Sequence, residues 1–230
     1  MSFQFKLSDF DDYSFDEGRF NTPSVKNFID QSGFKNNENT LALVGCGGTI
    51  SSAYSPSNEN ISPTHFSPIN DILKDLDTAF GVAENQTSFI SLLNKDSRDI
   101  TIEDIIFVMD FLNGIQNNRI VLTVGTYGLP LVTQILDRCI EKDRAKLICV
   151  TGSMLISSIK ENDADFNGGG AITSLNALSH LSSSINESIV YTAFHGKVYK
   201  PHECENLELH LESHKDVEFY RGQRLAKSNA

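Results

Sequence analysis

Hydroxyl, glycine and carboxylate residues able to act on a carbonyl or hold a small ion cluster in three short segments. The first is GCGGTI, Gly45 to Ile50. Its glycines let the backbone come close to a ligand and leave amide N–H groups facing an anion. Thr49 adds a hydroxyl that a neighbouring base can turn into a nucleophile. The same string also suits a structural Gly-Gly turn closed by a hydrogen-bonding threonine. Nucleotide signatures fit it poorly. A dinucleotide fingerprint needs glycine where Ile50 stands, and no Gly-Lys-Ser/Thr follows to make a P-loop. The second segment is KDSRDIT, Lys95 to Thr101. Ser97 with its adjacent amides can hold a carboxylate, and Asp96 an ammonium group. Read locally, the segment is better taken as a cap for a following helix. The third, TVGTYGL from Thr123 to Leu129, repeats the glycine–threonine pair at Gly125 and Thr126 and follows it with Tyr127.

Each of these segments follows an apolar run. TLALVG, from Thr40, is continuously apolar and ended by glycines, the pattern of a strand buried on both faces. TSFISLL, RIVLTVG, AKLICVTG and SIVYTAF supply four further strands. Helices fall between them: INDILKDLD, the IEDIIFVMDFL stretch after Thr101, LPLVTQILDRCIEK and GAITSLNALSHLSS. Asp104, three residues beyond Thr101, completes a capping-box-like pattern. Ser51 to about Pro68 reads as a polar loop. Strands alternating with helices predict an α/β fold: a doubly wound, mostly parallel sheet in a flavodoxin-like three-layer sandwich. Ligands bind such sheets at the carboxyl ends of the strands. The site is therefore expected from Gly45–Thr49, Asp96–Asp99 and Gly125–Tyr127.

Residues 1–38 read as an N-terminal extension that packs on the main domain or holds a partner. Thr22 is placed as an N-cap, Pro23 at the first helical position and Gly33 as the stop of a short helix. The acidic, aromatic stretch DFDDYSFDEG before it reads as a surface segment anchored by Phe or Tyr. The α/β domain is assigned to residues 39–215 and a C-terminal tail to 216–230.

Composition sets outer limits. The 230 residues are 40% hydrophobic and 21% charged, with no tryptophan, and a chain of this length buries a core without covalent staples. A net charge of −11 argues against nucleic-acid partners, whose binding rests on cationic contacts to phosphate. No apolar run has the length to cross a bilayer, and the polar, acidic start lacks the features of a signal or transit peptide. A cytoplasmic location without membrane contact is expected. Cys46, Cys139, Cys149 and Cys204 form no CxxC pair, so reduced, mostly buried thiols are expected in place of disulfides or zinc. His65, His180, His195, His202, His210 and His214 show no ligand spacing, and no metal or other cofactor is expected. Near the strand ends, His195 and His202 are given surface or structural roles.

Two threonine-bearing strand tips, with Asp-Ser on a third, resemble the bacterial L-asparaginase/glutaminase family, in which a threonine hydroxyl attacks a side-chain amide. That family's GGTI motif stands intact as Gly47-Gly48-Thr49-Ile50. Its Asp-Ser-x-Asp-Met/Ile-Thr segment is similar to Asp96-Ser97-Arg98-Asp99-Ile100-Thr101, and its Gly-Thr-Asp to Gly125-Thr126-Tyr127. Thr151-Gly152-Ser153-Met154 and Asn176-Ala177-Leu178 match two later segments. The resemblance runs from about Thr40 to about Lys200 and concerns the N-terminal domain alone. It implies Thr49 as nucleophile, Thr126 as second catalytic threonine and Ser97 as the residue holding a substrate α-carboxylate. Gly47, Gly48 and neighbouring amides would stabilise the oxyanion. Gly48, Asp96, Ser97, Gly125 and Tyr127 would line the substrate, and Tyr54 is the candidate for the tyrosine that activates the first threonine.

The departures from the family pattern bear on chemistry. The aspartate that follows the second threonine, and holds the substrate ammonium, is here Tyr127. The family's triad lysine aligns with Asn206, leaving Lys197 and Lys200 as the nearest substitutes. The histidine before Gly-Thr is Val124, and the Asp-Gly at the start of a later helix reads Gly169-Gly170, with Asp165 close by. The family's C-terminal domain is not represented; the final stretch resembles only the start of the link to it. Losing one member of a cooperating catalytic unit costs orders of magnitude in rate. The resemblance thus implies an amidohydrolase of reduced or altered activity on L-asparagine or a related linear amide, without a cofactor. The alternative is a catalytically inactive module binding a small molecule, or a protein partner engaged by the extension. The family also forms its site between subunits, which implies a homodimer.

Overall fold

The computed structural model describes residues 5–48, 50, 52–54, 61–63, 87–153, 186–204 and 207. Its strands are β1 (Leu41–Gly47), β2 (Ser52–Tyr54), β3 (Ile61–Pro63), β4 (Thr87–Lys95), β5 (Arg119–Thr123), β6 (Leu147–Thr151), β7 (Ile189–Phe194) and β8 (Lys197–Tyr199). The helices are α1 (Glu17–Phe20), α2 (Pro23–Ser32), α3 (Ile102–Gly114) and α4 (Leu129–Cys139). A six-stranded sheet runs in the order β4-β1-β5-β6-β7-β8, parallel except for the β7–β8 pair. β1, β5 and β6 are buried along nearly their whole length, which demands cover on both faces of a parallel sheet. The expected α/β, mostly parallel architecture is the one observed. Strand order reverses at β1, with β4 on one side and β5, β6 and β7 on the other. In doubly wound sheets that reversal opens a ligand crevice between neighbouring carboxyl ends, here those of β1 and β5.

One face of the sheet packs Ala42, Val44, Cys46, Ile120, Leu122, Ile148 and Val150 against α3 and α4 in a single apolar core. Thr101 opens α3 as read from the sequence: its hydroxyl accepts from Asp104 N–H at 3.3 Å, and the Asp104 carboxylate accepts from Thr101 N–H at 2.8 Å. Two orphan donors of the first turn are thereby satisfied. Ile105, Val108, Met109, Phe111 and Leu112 then turn into the core.

The extension lies over these helices. Thr22 caps α2 through Val25 N–H, Pro23 starts it, and Gly33 ends it at φ 69°, as the sequence predicts. Phe5, Phe10, Ile29 and Phe34 are buried in the common core. A buried carboxylate on α3, Asp110, fixes the acidic stretch: it accepts from Arg19 Nε at 2.6 Å, Arg19 Nη2 at 3.0 Å and Tyr13 Oη at 2.9 Å. Phe20 sits where Gly114 lacks a side chain, so close that a Cβ there would collide with its ring.

Several details differ from the sequence reading. β4 runs two residues past TSFISLL to Lys95, and its register against β1 slips between Gly45 and Gly47, a bulge that alternation does not reveal. The expected polar loop contains β2 and β3, paired antiparallel; strands of three residues are too short to carry a periodic signal. β8 follows a two-residue turn at His195 and Gly196, with φ of 49° and 73°, the positive values of a hairpin turn. α4 stops at Cys139, and Lys142–Arg144 forms a separate 3-10 turn. The helices expected at INDILKDLD and GAITSLNALSHLSS, and the tail 216–230, lie outside the described residues. Among the described residues no helix is long and apolar enough to cross a membrane.

Candidate functional site

Four strand tips meet at the crevice because their glycines leave room for backbone to touch backbone. Gly47 and Gly48 have φ of 84° and 78°, a region that L side chains rarely enter. Gly48 N–H donates to the Lys95 carbonyl at 3.0 Å. A Cβ on Gly47 would fall on the Lys95 backbone, and one on Gly48 on the Cα and N of Gly125. A Cβ on Gly125 would stand 2.5 Å from Ser97 Cβ and 2.6 Å from its Oγ. A Cβ on Gly152 would stand 2.5 Å from the Val124 carbonyl and 3.5 Å from Thr126 Cγ2. The tips of β4, β1, β5 and β6 therefore lie side by side, and Gly48, Ser97, Gly125 and Thr126 are gathered in one place.

Ser97 is buried within the 3-10 turn Ser97–Asp99, while Thr126 and Tyr127 begin the turn Thr126–Gly128. Tyr127 is 37% exposed, at the rim. Val124, where the resembling family has a histidine, belongs to the apolar core and donates its N–H to Thr151 O at 2.9 Å. Thr123 pairs with Gly45 across β1 and β5. Its buried hydroxyl has no hydrogen-bond partner among the described residues, and the position was legible only as the polar end of an apolar strand.

The carboxylates of the site are engaged within the chain. Asp96 Oδ1 accepts from Arg98 N at 3.0 Å and Nε at 2.9 Å, and Oδ2 from Nη2 at 2.9 Å. The guanidinium hydrogen bonds hold its carboxyl below the usual carboxylate range. Of the two roles open to Asp96, capping a turn is the one present, although Thr101 rather than Asp96 caps α3. Lys95 Nζ contacts both oxygens of Asp104 at 2.6 and 2.9 Å. Neither ion pair was legible, because an i,i+2 contact and an i,i+9 contact depend on how the turn bends. Gly152 and Ser153, quoted for the resemblance but left out of the expected site, form its fourth wall, with Ser153 fully buried.

The remaining candidates are less closely placed. Tyr54 ends β2, its backbone paired with Ile61. Lys197 and Lys200 are exposed on and after β8, and His195 is exposed in the hairpin turn. Thr49 lies outside the described residues, between the described Gly48 and the fully buried Ile50. Met154, Asp165, Gly169, Gly170, Asn176 and Asn206 also lie outside them. What the described site offers chemically is closely packed glycine backbone with the Ser97 and Thr126 side chains, beside which Asp96 and Asp104 are each matched by a cation.

A family model described as asparaginase, N-terminal, matches residues 40–212. No curated protein sequence matches the chain. Among solved structures, the thermostable L-asparaginase from Thermococcus kodakarensis is similar at 24% identity and a TM-score of 0.56, over 70% of this chain and 46% of that one. The probable cytoplasmic L-asparaginase from Campylobacter jejuni gives 19% and 0.56, over 72% and 48%. L-asparaginase I from Vibrio cholerae gives 21% and 0.51, over 71% and 47%. The chain spans about half the length of the structures it matches, and the likeness to them is one of fold.

Proposed function

Because the chain belongs to the asparaginase family, through that family's N-terminal domain, we propose that it is an amidohydrolase acting on L-asparagine or a related linear amide. In this reading the Thr49 Oγ attacks the side-chain carboxamide carbon and the C–N bond breaks. The hydroxyl proton leaves with the nitrogen as ammonia, and an ester to Thr49 remains. Water then cleaves the ester, releasing the carboxylic acid and restoring the hydroxyl. With Gly48 N–H taken by the Lys95 carbonyl, amides neighbouring the Gly47-Gly48 turn stabilise the oxyanion, Ser97 takes the substrate carboxylate, and Thr126 assists.

The observation that supports this reading is the convergence of Gly48, Ser97, Gly125 and Thr126 at the switch-point crevice. Ammonia release from asparagine, glutamine and blocked amides, measured beside Thr49→Ala, tests it. We expect the substitution to lower turnover by about a thousandfold or more. Equal turnover in both proteins would overturn the reading. A second reading, an inactive small-molecule binding module, draws support from Tyr127 and from an Asp96 already closed by Arg98. It predicts no ammonia above background together with a rise in melting temperature on adding aspartate. The homodimer is part of the proposal too, and sedimentation velocity measures it directly.

A further inference from the structure

Among the described residues, the two carboxylates nearest the crevice, Asp96 and Asp104, are both already paired with a cation. Asp96 receives three hydrogen bonds from Arg98, and both oxygens of Asp104 are taken by Lys95 Nζ. Asp99, the remaining carboxylate of the segment, is exposed, where water and salt weaken its pull. An ammonium entering beside Ser97 therefore meets, among the described residues, carboxylates that already hold a cation, and displacing that cation offsets part of what the new contact gains. An anion fares better, since the hydroxyl of the buried Ser97, set beside Gly125, can donate to it. At the rim, the turn that packs on Ser97 through Gly125 carries Tyr127, whose 37% exposure offers an aromatic surface to a flat neutral group.

We propose that the crevice takes carboxamides whose α-nitrogen is uncharged: N-acylated amino-acid amides, with the α-carboxylate at Ser97 and the acyl group against Tyr127. This rests on the amidohydrolase reading above and names the substrate class of that site. The test compares ammonia release from N-acetyl-L-asparagine and L-asparagine by the full chain. Thermal shifts of the Thr49→Ala protein with N-acetyl-L-aspartate and L-aspartate give a readout that needs no turnover. The expected result is a kcat/KM about tenfold or more higher for the acetylated amide, the span of one charge-assisted hydrogen bond lost or made. Tyr127→Asp should reverse that order, and Tyr127→Phe should keep it. Equal use of the two amides, or preference for free asparagine, overturns the inference. If neither amide is hydrolysed, the Thr49 reading fails and the shifts decide. A rise with N-acetyl-L-aspartate alone supports the inference; an equal or larger rise with L-aspartate, or none with either, overturns it.

Discussion

Gly48 and Gly33 both adopt positive φ, yet their surroundings differ. Around Gly33 nothing lies within 4 Å of where a Cβ would stand, whereas at Gly48 the Gly125 backbone occupies that place. Gly33→Ala should therefore cost only conformational strain, about 1 kcal/mol. Gly48→Ala adds a backbone collision and should cost about 2 kcal/mol or more while abolishing binding. Denaturant unfolding of the two variants measures the difference, and equal losses would refute the backbone contact. Ser97→Ala should leave the fold intact and, if the crevice is used as proposed, raise KM more than it lowers kcat. At this scale the sequence was legible where residue type alone dictates backbone, as in Gly47-Gly48. It was not legible where a side chain chooses among partners. Nothing local to KDSRDIT says that Asp96 closes on Arg98 instead of waiting for a ligand.

The elements repeat that contrast. α2 and the start of α3 could be bounded to within a residue, because Thr22, Pro23, Gly33, Thr101 and Asp104 act on the nearest turn of backbone, whereas α3 runs two residues past the expected IEDIIFVMDFL to Gly114. β2, β3 and β8 escaped because three residues are too few to show a period, and the β4 bulge because its pairing is decided by β1, distant in sequence. The same holds for the docking of the extension, whose anchor on α3 lies 91 residues from Arg19. Asp110→Asn removes the charge while keeping the shape. It should destabilise the protein by about 1–3 kcal/mol, the worth of hydrogen bonds to a charged group. It should also speed tryptic cleavage after Arg19 relative to cleavage after Arg119 within β5. Tyr13 reports the same contact, since burial first, and the Asp110 hydrogen bond and charge with it, push its phenol well above the usual value.

For the whole molecule, burial governs what titrates and what reacts. Cys46, Cys139, Cys149 and Cys204 are buried and free, and burial raises the Cys139 thiol to about 11. Thiol-specific labelling at pH 8 should proceed only as fast as the chain opens, and should be rapid in denaturant. Lys146, 2% exposed at the start of β6, donates to the carbonyls of Ile115 and Asn117. Burial, with Arg144 adding to it, lowers its amine to about 8. A base with a depressed native pKa is protonated in the unfolded chain but not in the native one between that value and its ordinary range near 10.5. Its contribution to stability therefore grows as pH rises from about 8 towards 10.5. Set against Lys146→Met, the native protein should gain stability over that interval, and parallel pH profiles of the two would contradict it.

At the crevice the strand tips are spaced by missing atoms rather than by interlocking ones. Gly48 rests on Gly125, and Gly125 on Ser97, with no side chain between the two glycines to set the gap. Neighbouring side chains such as Asp96, Arg98 and Tyr127 do not set that gap and can be exchanged without moving it. Mount and tool are thus inherited separately: a lineage can retool its reaction while the bench beneath stays level.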